Sequence, residues 1–259
     1  MTILDTIAEK TKERIEAQKR EISPDTLKKS VTAGEGGRLE GALEKSGMSF
    51  ICEIKKASPS KGVIAQDFPY LQIAAEYEKA GADAISVLTE PFYFQGSDEY
   101  LRQIRRQVSI PILRKDFTVD EYMIYQAREM GADAILLICS ILSPMQLSEY
   151  LGIAGELGLS ALVETHDEAE VEMALSAGAK ILGVNNRNLK DFTVDVNHSV
   201  TLRSLVPENV LFVAESGMKT RADIAKLEEA GVNGVLVGET LMRSASKKQT
   251  LAELSGKAF

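Results

Sequence analysis

The sequence predicts an α/β protein built as a closed (β/α)8 barrel, and three observations carry that expectation. Four segments rhyme, KAGADAISVL (79–88), EMGADAILLI (129–138), SAGAKILGVN (176–185) and EAGVNGVLVG (229–238), each the tail of an amphipathic pattern, then a glycine, then an apolar run. Gly81, Gly131, Gly178 and Gly231 sit where a helix ends on a left-handed residue, and their spacing of about 50 residues is two strand-plus-helix units. Eight apolar runs fill that spacing: Phe50–Ile54, Ala84–Leu88, Pro111–Leu113, Ala134–Ile138, Ala161–Val163, Ile181–Val184, Leu211–Ala214 and Gly234–Val237. Finally, no GxGxxG follows the first run, as an open dinucleotide-binding sheet would require, and no inserted domain disturbs the period.

The elements follow in order. The first ~45 residues precede the strand count and read as helical, with Leu4, Ile7, Ala8, Thr11 and Ile15 at helical spacing; so short a piece buries no core of its own. Residues 1–46 are therefore expected as a helical extension capping a single barrel domain that spans 1–259. The apolar runs are near-continuous rather than alternating, as in parallel strands covered on both faces. Helix-period segments separate them, for example Leu71, Ile73, Ala74, Tyr77 and Ala80. Thr118-Val-Asp-Glu121, Thr165-His-Asp-Glu168 and Thr220-Arg-Ala-Asp223 resemble capping boxes, and Ser143-Pro144 puts a proline at a first helical position.

A chain of 259 residues suits one large barrel, and 44% hydrophobic with 26% charged residues is ordinary for a soluble globular protein. The net charge of −8 and pI near 5.1 argue against a nucleic-acid or anionic-membrane partner, yet allow a small anion held by a few convergent Lys or Arg. MTILDTIAEKTKERIE alternates apolar and charged residues instead of forming the apolar core of a signal peptide, and no stretch approaches the ~20 apolar residues of a membrane span. Cys52 and Cys139 lie in apolar runs and read as buried thiols in a reducing compartment. A cytoplasmic location is expected.

In such a barrel the chemistry sits at the C-terminal strand ends. FICEIKKASPSKG (50–62) is the sharpest case, because Glu53 and Lys55 interrupt an otherwise buried strand. Two residues apart, they point the same way, into the mouth, while Phe50, Cys52 and Ile54 face the helices. The other strand ends carry Thr89 and Glu90; Arg114, Lys115 and Asp116; Glu164; Asn185 and Arg187; Glu215, Ser216 and Gly217; Gly238 and Glu239. A single charge at a strand end is usually a solvated or capping residue; the coincidence across these strand ends points to a site. Lys and Glu side by side shift each other's pKa toward acid–base work. Glu215-Ser-Gly217 ahead of the helix at Thr220, and Gly238-Glu239 ahead of Thr240–Arg243, match the loops with which barrels bind phosphate. Metal and nucleophile readings are weak. His166 and His198 lack HxH or HExxH spacing, the first reading as part of a helix cap and the second as a solvent-facing helix residue. Ser58 and Ser216 have no neighbouring histidine to activate them, so acyl-enzyme chemistry is not expected, and with no metal spacing and no cofactor motif visible neither a metal nor an organic cofactor is expected.

FICEIKKASPSKG, LTEPFYFQGS, PILRKDFTVD, ALVETHDE, GVNNRNL, VAESGM and VGETLMR, in this order, resemble indole-3-glycerol phosphate synthase, from the N-terminal helix through Arg243. The E-x-K-x-x-S-P-S spacing of the first motif is specific on its own. The resemblance implies a TIM barrel enzyme of tryptophan biosynthesis, a cofactor-free carboxy-lyase. It would convert 1-(2-carboxyphenylamino)-1-deoxyribulose 5-phosphate to indole-3-glycerol phosphate, CO2 and water. It implies Lys115 as general acid for ring closure, positioned by Glu53 or its neighbours. Lys55 would pair with the substrate carboxylate or phosphate and donate a proton in dehydration, Glu164 would act as acid or base at the hydroxyl, and Asn185 would hold an intermediate. Phe94, Phe117 and Pro59 would wall an aryl pocket, with Ser58, Arg187, Glu215, Ser216, Gly217 and Gly238 completing the substrate contacts. Lys61 is expected as a lid residue on a flexible first loop.

Two positions depart from many relatives. Glu239 stands where Ser is common, so a phosphate contact there is expected from the backbone alone, and Asn186 replaces a smaller residue. Phosphoribosylanthranilate isomerase is the nearest rival, but that family uses a Cys at the end of strand 1 and an Asp at the end of strand 5, where this chain has Cys52 ahead of Glu53 and Glu164. Against a non-catalytic phosphate-binding barrel stand the intact Lys55, Lys115 and Glu164. The expected partner is a small anionic substrate, with no nucleic acid and no membrane. A monomer or weak homo-oligomer is expected, with contact to other tryptophan-pathway enzymes left open.

Overall fold

The computed structural model describes residues 2–188 and 192–256. Eight parallel strands close on themselves: β1 (Ser49–Ile54), β2 (Ala84–Leu88), β3 (Ile112–Lys115), β4 (Ala134–Ile138), β5 (Ser160–Thr165), β6 (Ile181–Asn185), β7 (Leu211–Glu215) and β8 (Gly234–Val237), with β8 pairing back to β1. Helices α1 (Ile3–Glu21), α2 (Pro24–Ser30) and α3 (Arg38–Leu43) precede the barrel. Helices α4 (Tyr70–Ala80), α5 (Asp98–Arg105), α6 (Glu121–Glu129), α7 (Pro144–Glu156), α8 (Glu168–Ser176), α9 (Asn197–Arg203) and α10 (Arg221–Glu229) join successive strands, and α11 (Glu239–Met242) and α12 (Lys247–Ser255) follow β8. No helix among the described residues is long and apolar enough to cross a membrane.

Burial on both strand faces explains the continuous apolar runs. One set of side chains, including Ile51, Leu113, Leu136, Leu162, Val213 and Leu236, fills the barrel interior. The alternate set, including Phe50, Cys52, Ile54, Val87, Leu137 and Phe212, packs against helix residues such as Tyr77, Ile104 and Leu227. Cys52 and Cys139 are buried free thiols. The rhyming segments acquire a physical role at the barrel's N-terminal end. The residue just before a strand exchanges bonds with the neighbouring strand: Asp83 Oδ2 accepts from the Phe50 N–H (2.8 Å), Asp133 Oδ2 from Ile112 (2.9 Å) and Asn233 Oδ1 from Phe212 (2.8 Å). Each returns its own backbone N–H to the same residue's carbonyl. That end is plugged by α3, whose Leu39 and Leu43 join the interior core; a Cβ on Gly234 would meet Leu43 Cδ2 at 2.6 Å. Helix α1 lies toward the opposite end, with Arg14 2.9 Å from Asp116 and Lys19 2.7 Å from Asp120.

Several local expectations shift. β3, β5, β6 and β7 run on to include Lys115, Glu164, Asn185 and Glu215, because a polar side chain at the mouth leaves its backbone in the ladder. β1 stops at Ile54, leaving Lys55 just beyond it. The capping boxes at Thr118 and Thr165 do not form. Asp120 caps α6 and Asp167 caps α8, each carboxylate accepting a first-turn N–H, while the Thr165 hydroxyl donates to the Gly183 carbonyl of the neighbouring strand. The box at Thr220 and the Ser143-Pro144 start are present. The Ser-Pro-Ser turn opens an antiparallel hairpin, Ala57–Ser58 with Gly62–Val63.

Candidate active site

The barrel's C-terminal mouth encloses a cavity of about 500 Å3. Its floor is made of strand ends: Glu53 and Lys55 from β1, Lys115 closing β3, Glu164 on β5, Asn185 closing β6, Glu215 closing β7 and Gly238 after β8. Register brings them level, since Glu164 pairs with Gly183 and Asn185 with Glu215 across adjacent strands. Phe94 and Phe117 form one wall, ring centroids 6.2 Å apart, with Ser58, Pro59 and Lys61 of the hairpin alongside. Arg187, Ser216, Gly217 and Glu239 complete the lining, but Thr89, Glu90, Arg114 and Asp116 do not reach it: Thr89, Arg114 and Asp116 bond to one another, and the Glu90 carboxylate accepts the N–H groups of Phe92, Tyr93 and Phe94.

Within it the charges pair off. Lys115 Nζ lies 3.0 Å from Glu164 Oε2 and 2.5 Å from Glu215 Oε2, while Lys55 pairs with Glu53. The direct partners of Lys115 are Glu164 and Glu215, while Glu53 is paired with Lys55, two residues along on the same face, and acts on Lys115 through its charge. Asn185 Nδ2 donates to Glu164 Oε1 (3.3 Å), and its Oδ1 accepts the Arg187 N–H (3.0 Å). Two glycines exist to make room for this cluster. A Cβ on Gly183 would lie 2.5 Å from Glu215 Oε1, and one on Gly238 would collide with the Glu53 carboxylate.

The loops after β7 and β8 sit beside the lysines. Ser216 (φ 66°) and Gly217 (φ 96°) turn through the left-handed region. Asn186 braces that turn: it is buried, its Nδ2 donates to the Ser216 carbonyl (3.1 Å), and its Oδ1 accepts from the Ser199 N–H (3.0 Å) and hydroxyl (2.7 Å). Glu239 Oε1 lies 3.1 Å from Arg243 Nε, which partly neutralises the carboxylate within α11 and its cap. Leu4 and Ile7 of α1 and Ile64 also line the cavity and were not singled out. Their apolar periodicity was legible, but periodicity says which face is buried and not what it meets.

The family model of indole-3-glycerol phosphate synthase matches residues 4–254. The chain belongs to that family. It is 53% identical over 259 residues to the indole-3-glycerol phosphate synthase of Ruminiclostridium cellulolyticum, covering 99% of this chain and 100% of that one. It is 52% identical to that of Lacticaseibacillus paracasei with the same coverage. Among solved structures it is similar in fold to 3-hexulose-6-phosphate synthase from Salmonella typhimurium, at 15% identity and TM-score 0.67, covering 81% of this chain and 97% of that one.

In this indole-3-glycerol phosphate synthase family member, the buried charges set one another's protonation. Burial opposes the Lys115 ammonium, but Glu215, Glu164 and Glu53 together hold its pKa well above that of an ordinary lysine. Burial would likewise raise Glu164, yet Lys115 and His166 keep it well below the usual carboxylate range. Glu215 goes the other way: burial, with Glu164 and Glu53 adding to it against the pull of Lys115, lifts it to about 7. His166 sits at the α8 cap, just before Asp167 with its N–H donated to Glu170, and its ring reaches further. Its Nε2 lies 3.3 Å from Glu164 Oε1 and its Nδ1 3.1 Å from Glu170 Oε2. Nor does His198 point only to solvent, since its Nε2 lies 2.8 Å from the His166 carbonyl oxygen. Both histidines line a second cavity of about 660 Å3 that shares Asn185 and Arg187 with the first. Leu189, the last residue of the GVNNRNL motif, lies outside the described residues.

Proposed function

We propose that the chain catalyses ring closure, decarboxylation and dehydration of 1-(2-carboxyphenylamino)-1-deoxyribulose 5-phosphate to indole-3-glycerol phosphate, CO2 and water. The observation that carries this reading is Lys115, its side chain 12% exposed and held between Glu164 and Glu215 beside the Phe94–Phe117 wall. In it, Lys115 donates to the ketone oxygen while the aryl carbon attacks, and the anthranilate ring rests against Phe94, Phe117 and Pro59. Lys55 pairs with the substrate carboxylate and, after CO2 leaves, donates to the departing hydroxyl. Glu164, kept ionised, accepts the proton, and Asn185 holds the intermediate. The phosphate is received by backbone N–H groups around Ser216, Gly217 and Gly238 with Ser58 and Arg187, and Glu239 contributes its backbone alone.

The same reading takes residues 1–259 as one barrel domain with 1–46 as its extension, acting in the cytoplasm as a monomer or weak homo-oligomer. The isomerase alternative loses support because Cys52 belongs to the outer core, where burial raises its thiol far above the range of a reactive cysteine. The test is direct. Purified protein is incubated with the carboxyphenylamino-deoxyribulose phosphate and indole fluorescence is followed; absence of a signal sinks the proposal.

A further inference from the structure

We propose that His166 is a positioning residue for this site: wedged between Glu164 and Glu170 from the side of the second cavity, it acts as a fixed cation that orients Glu164 and keeps it ionised. The inference rests on the reading of Glu164 as the proton acceptor.

Glu164 is buried, and its two oxygens meet different partners. Oε2 faces Lys115 at 3.0 Å, while Oε1 faces Asn185 Nδ2 and His166 Nε2, both at 3.3 Å. The imidazole therefore closes the one side of the carboxylate that the main cavity's lysine does not reach. Its own orientation is locked. Glu170 Oε2 accepts the His166 backbone N–H at 2.7 Å and lies 3.1 Å from Nδ1, so backbone and ring are held by one carboxylate oxygen. His198 holds the carbonyl of the same residue. Among the described residues the buried Nε2 has no hydrogen-bond partner of good geometry and faces the Glu164 carboxylate at ion-pair distance.

The surroundings favour the charged ring. Glu164 stands in front of it on β5, Glu170 and Asp167 at the start of α8, and His198 and Asp195 in and just before α9. Asp5 of α1 and Arg187 of the loop after β6 face the same second cavity, so among the described residues four carboxylates line it against one guanidinium. Burial opposes the charge, but Glu164 and Glu170 outweigh it and raise the imidazole to about 10. Lys115 lowers the Glu164 carboxyl from one side and His166 from the other, so the imidazole supplies the part of that stabilisation that reaches Oε1. His166 is not among the residues that line the main cavity, so it acts through Glu164.

Two measurements test this. The chain has two histidines, so an NMR pH titration, assigned with a His198→Gln variant, reads His166 directly. His166 is expected to stay protonated at pH 8; titration at the ordinary value of about 6.5 overturns the inference. In the kinetic test, His166→Gln is expected to move the acid limb of kcat/KM upward by about one pH unit and lower kcat about tenfold with KM little changed. His166→Lys, which restores a cation, should return the limb toward wild type. A limb that stays in place in His166→Gln, with wild-type turnover intact, overturns this inference alone. Absence of wild-type turnover defeats the functional reading instead, and the NMR titration still decides whether His166 is a fixed cation.

Discussion

At the N-terminal end of the barrel, Asp133 accepts the Ile112 N–H and faces both Arg38 and Arg105, so each of its oxygens is engaged. At the C-terminal end, Glu215 shares one lysine with Glu164 and leaves Oε1 buried without a hydrogen-bond partner among the described residues. Both ends use Asp, Glu, Lys and Arg at strand termini. At one end the charges are satisfied by backbone donors and fixed partners, which pins strand register. At the other they are crowded and under-partnered, and the backbone of Ser216 is held in a left-handed conformation. Charge that stabilises a fold is charge with its bonds complete; charge that does chemistry keeps a bond free for the substrate, at a cost in stability.

Four experiments break or sharpen that contrast, from the largest expected effect to the smallest. Lys115→Met should reduce turnover about 10³-fold, in the range of a lost general acid, while circular dichroism shows a folded barrel. Activity within tenfold of wild type would remove Lys115 from its role. Asp133→Ala should do the reverse, costing about 3 kcal/mol in urea denaturation by stranding Arg38, Arg105 and the Ile112 N–H, with kcat preserved. A loss below about 1 kcal/mol would mean the paired end is not what holds the barrel.

Glu215→Gln reads the mouth through pH. A carboxyl lifted to about 7 in the folded protein binds its proton more tightly folded than unfolded, so it subtracts stability as pH climbs from 4.5 through 7. The variant should therefore gain on wild type by on the order of 1 kcal/mol between pH 5 and pH 8. A stability difference that stays constant over that range would contradict the reading. Smallest of all, Ser216→Gly should relieve the left-handed strain and add up to about 1 kcal/mol of stability while raising KM. Destabilisation in that variant would show that the turn stores no strain.

Much of this protein was legible in its residues. The rhyming glycines gave the period, the apolar runs located all eight strands to within a few residues, and Glu53, Lys115, Glu164 and Glu215 stood out as charges where a core was due. The strand limits fell short because a hydropathy run stops where the functional residues begin, although the ladder continues through them. The cap positions were misplaced by two residues because Thr and Asp compete for the same turn and the carboxylate won. What each site residue meets was beyond reach. Lys115 joins Glu164, 49 residues on, and Glu215, 100 residues on, and which of them it takes depends on barrel closure and register. The same holds for His166, which only the tertiary structure moves from a helix start to the back of Glu164, and for α1, whose apolar edge reaches the mouth. Sequence by itself determined the elements and the ring of charges, because those follow from local backbone demands and from the mismatch between a charge and a core. The pairing of those charges was decided by closure alone, since electrostatic partners are set by distance in space and that distance does not exist until the sheet meets its own edge.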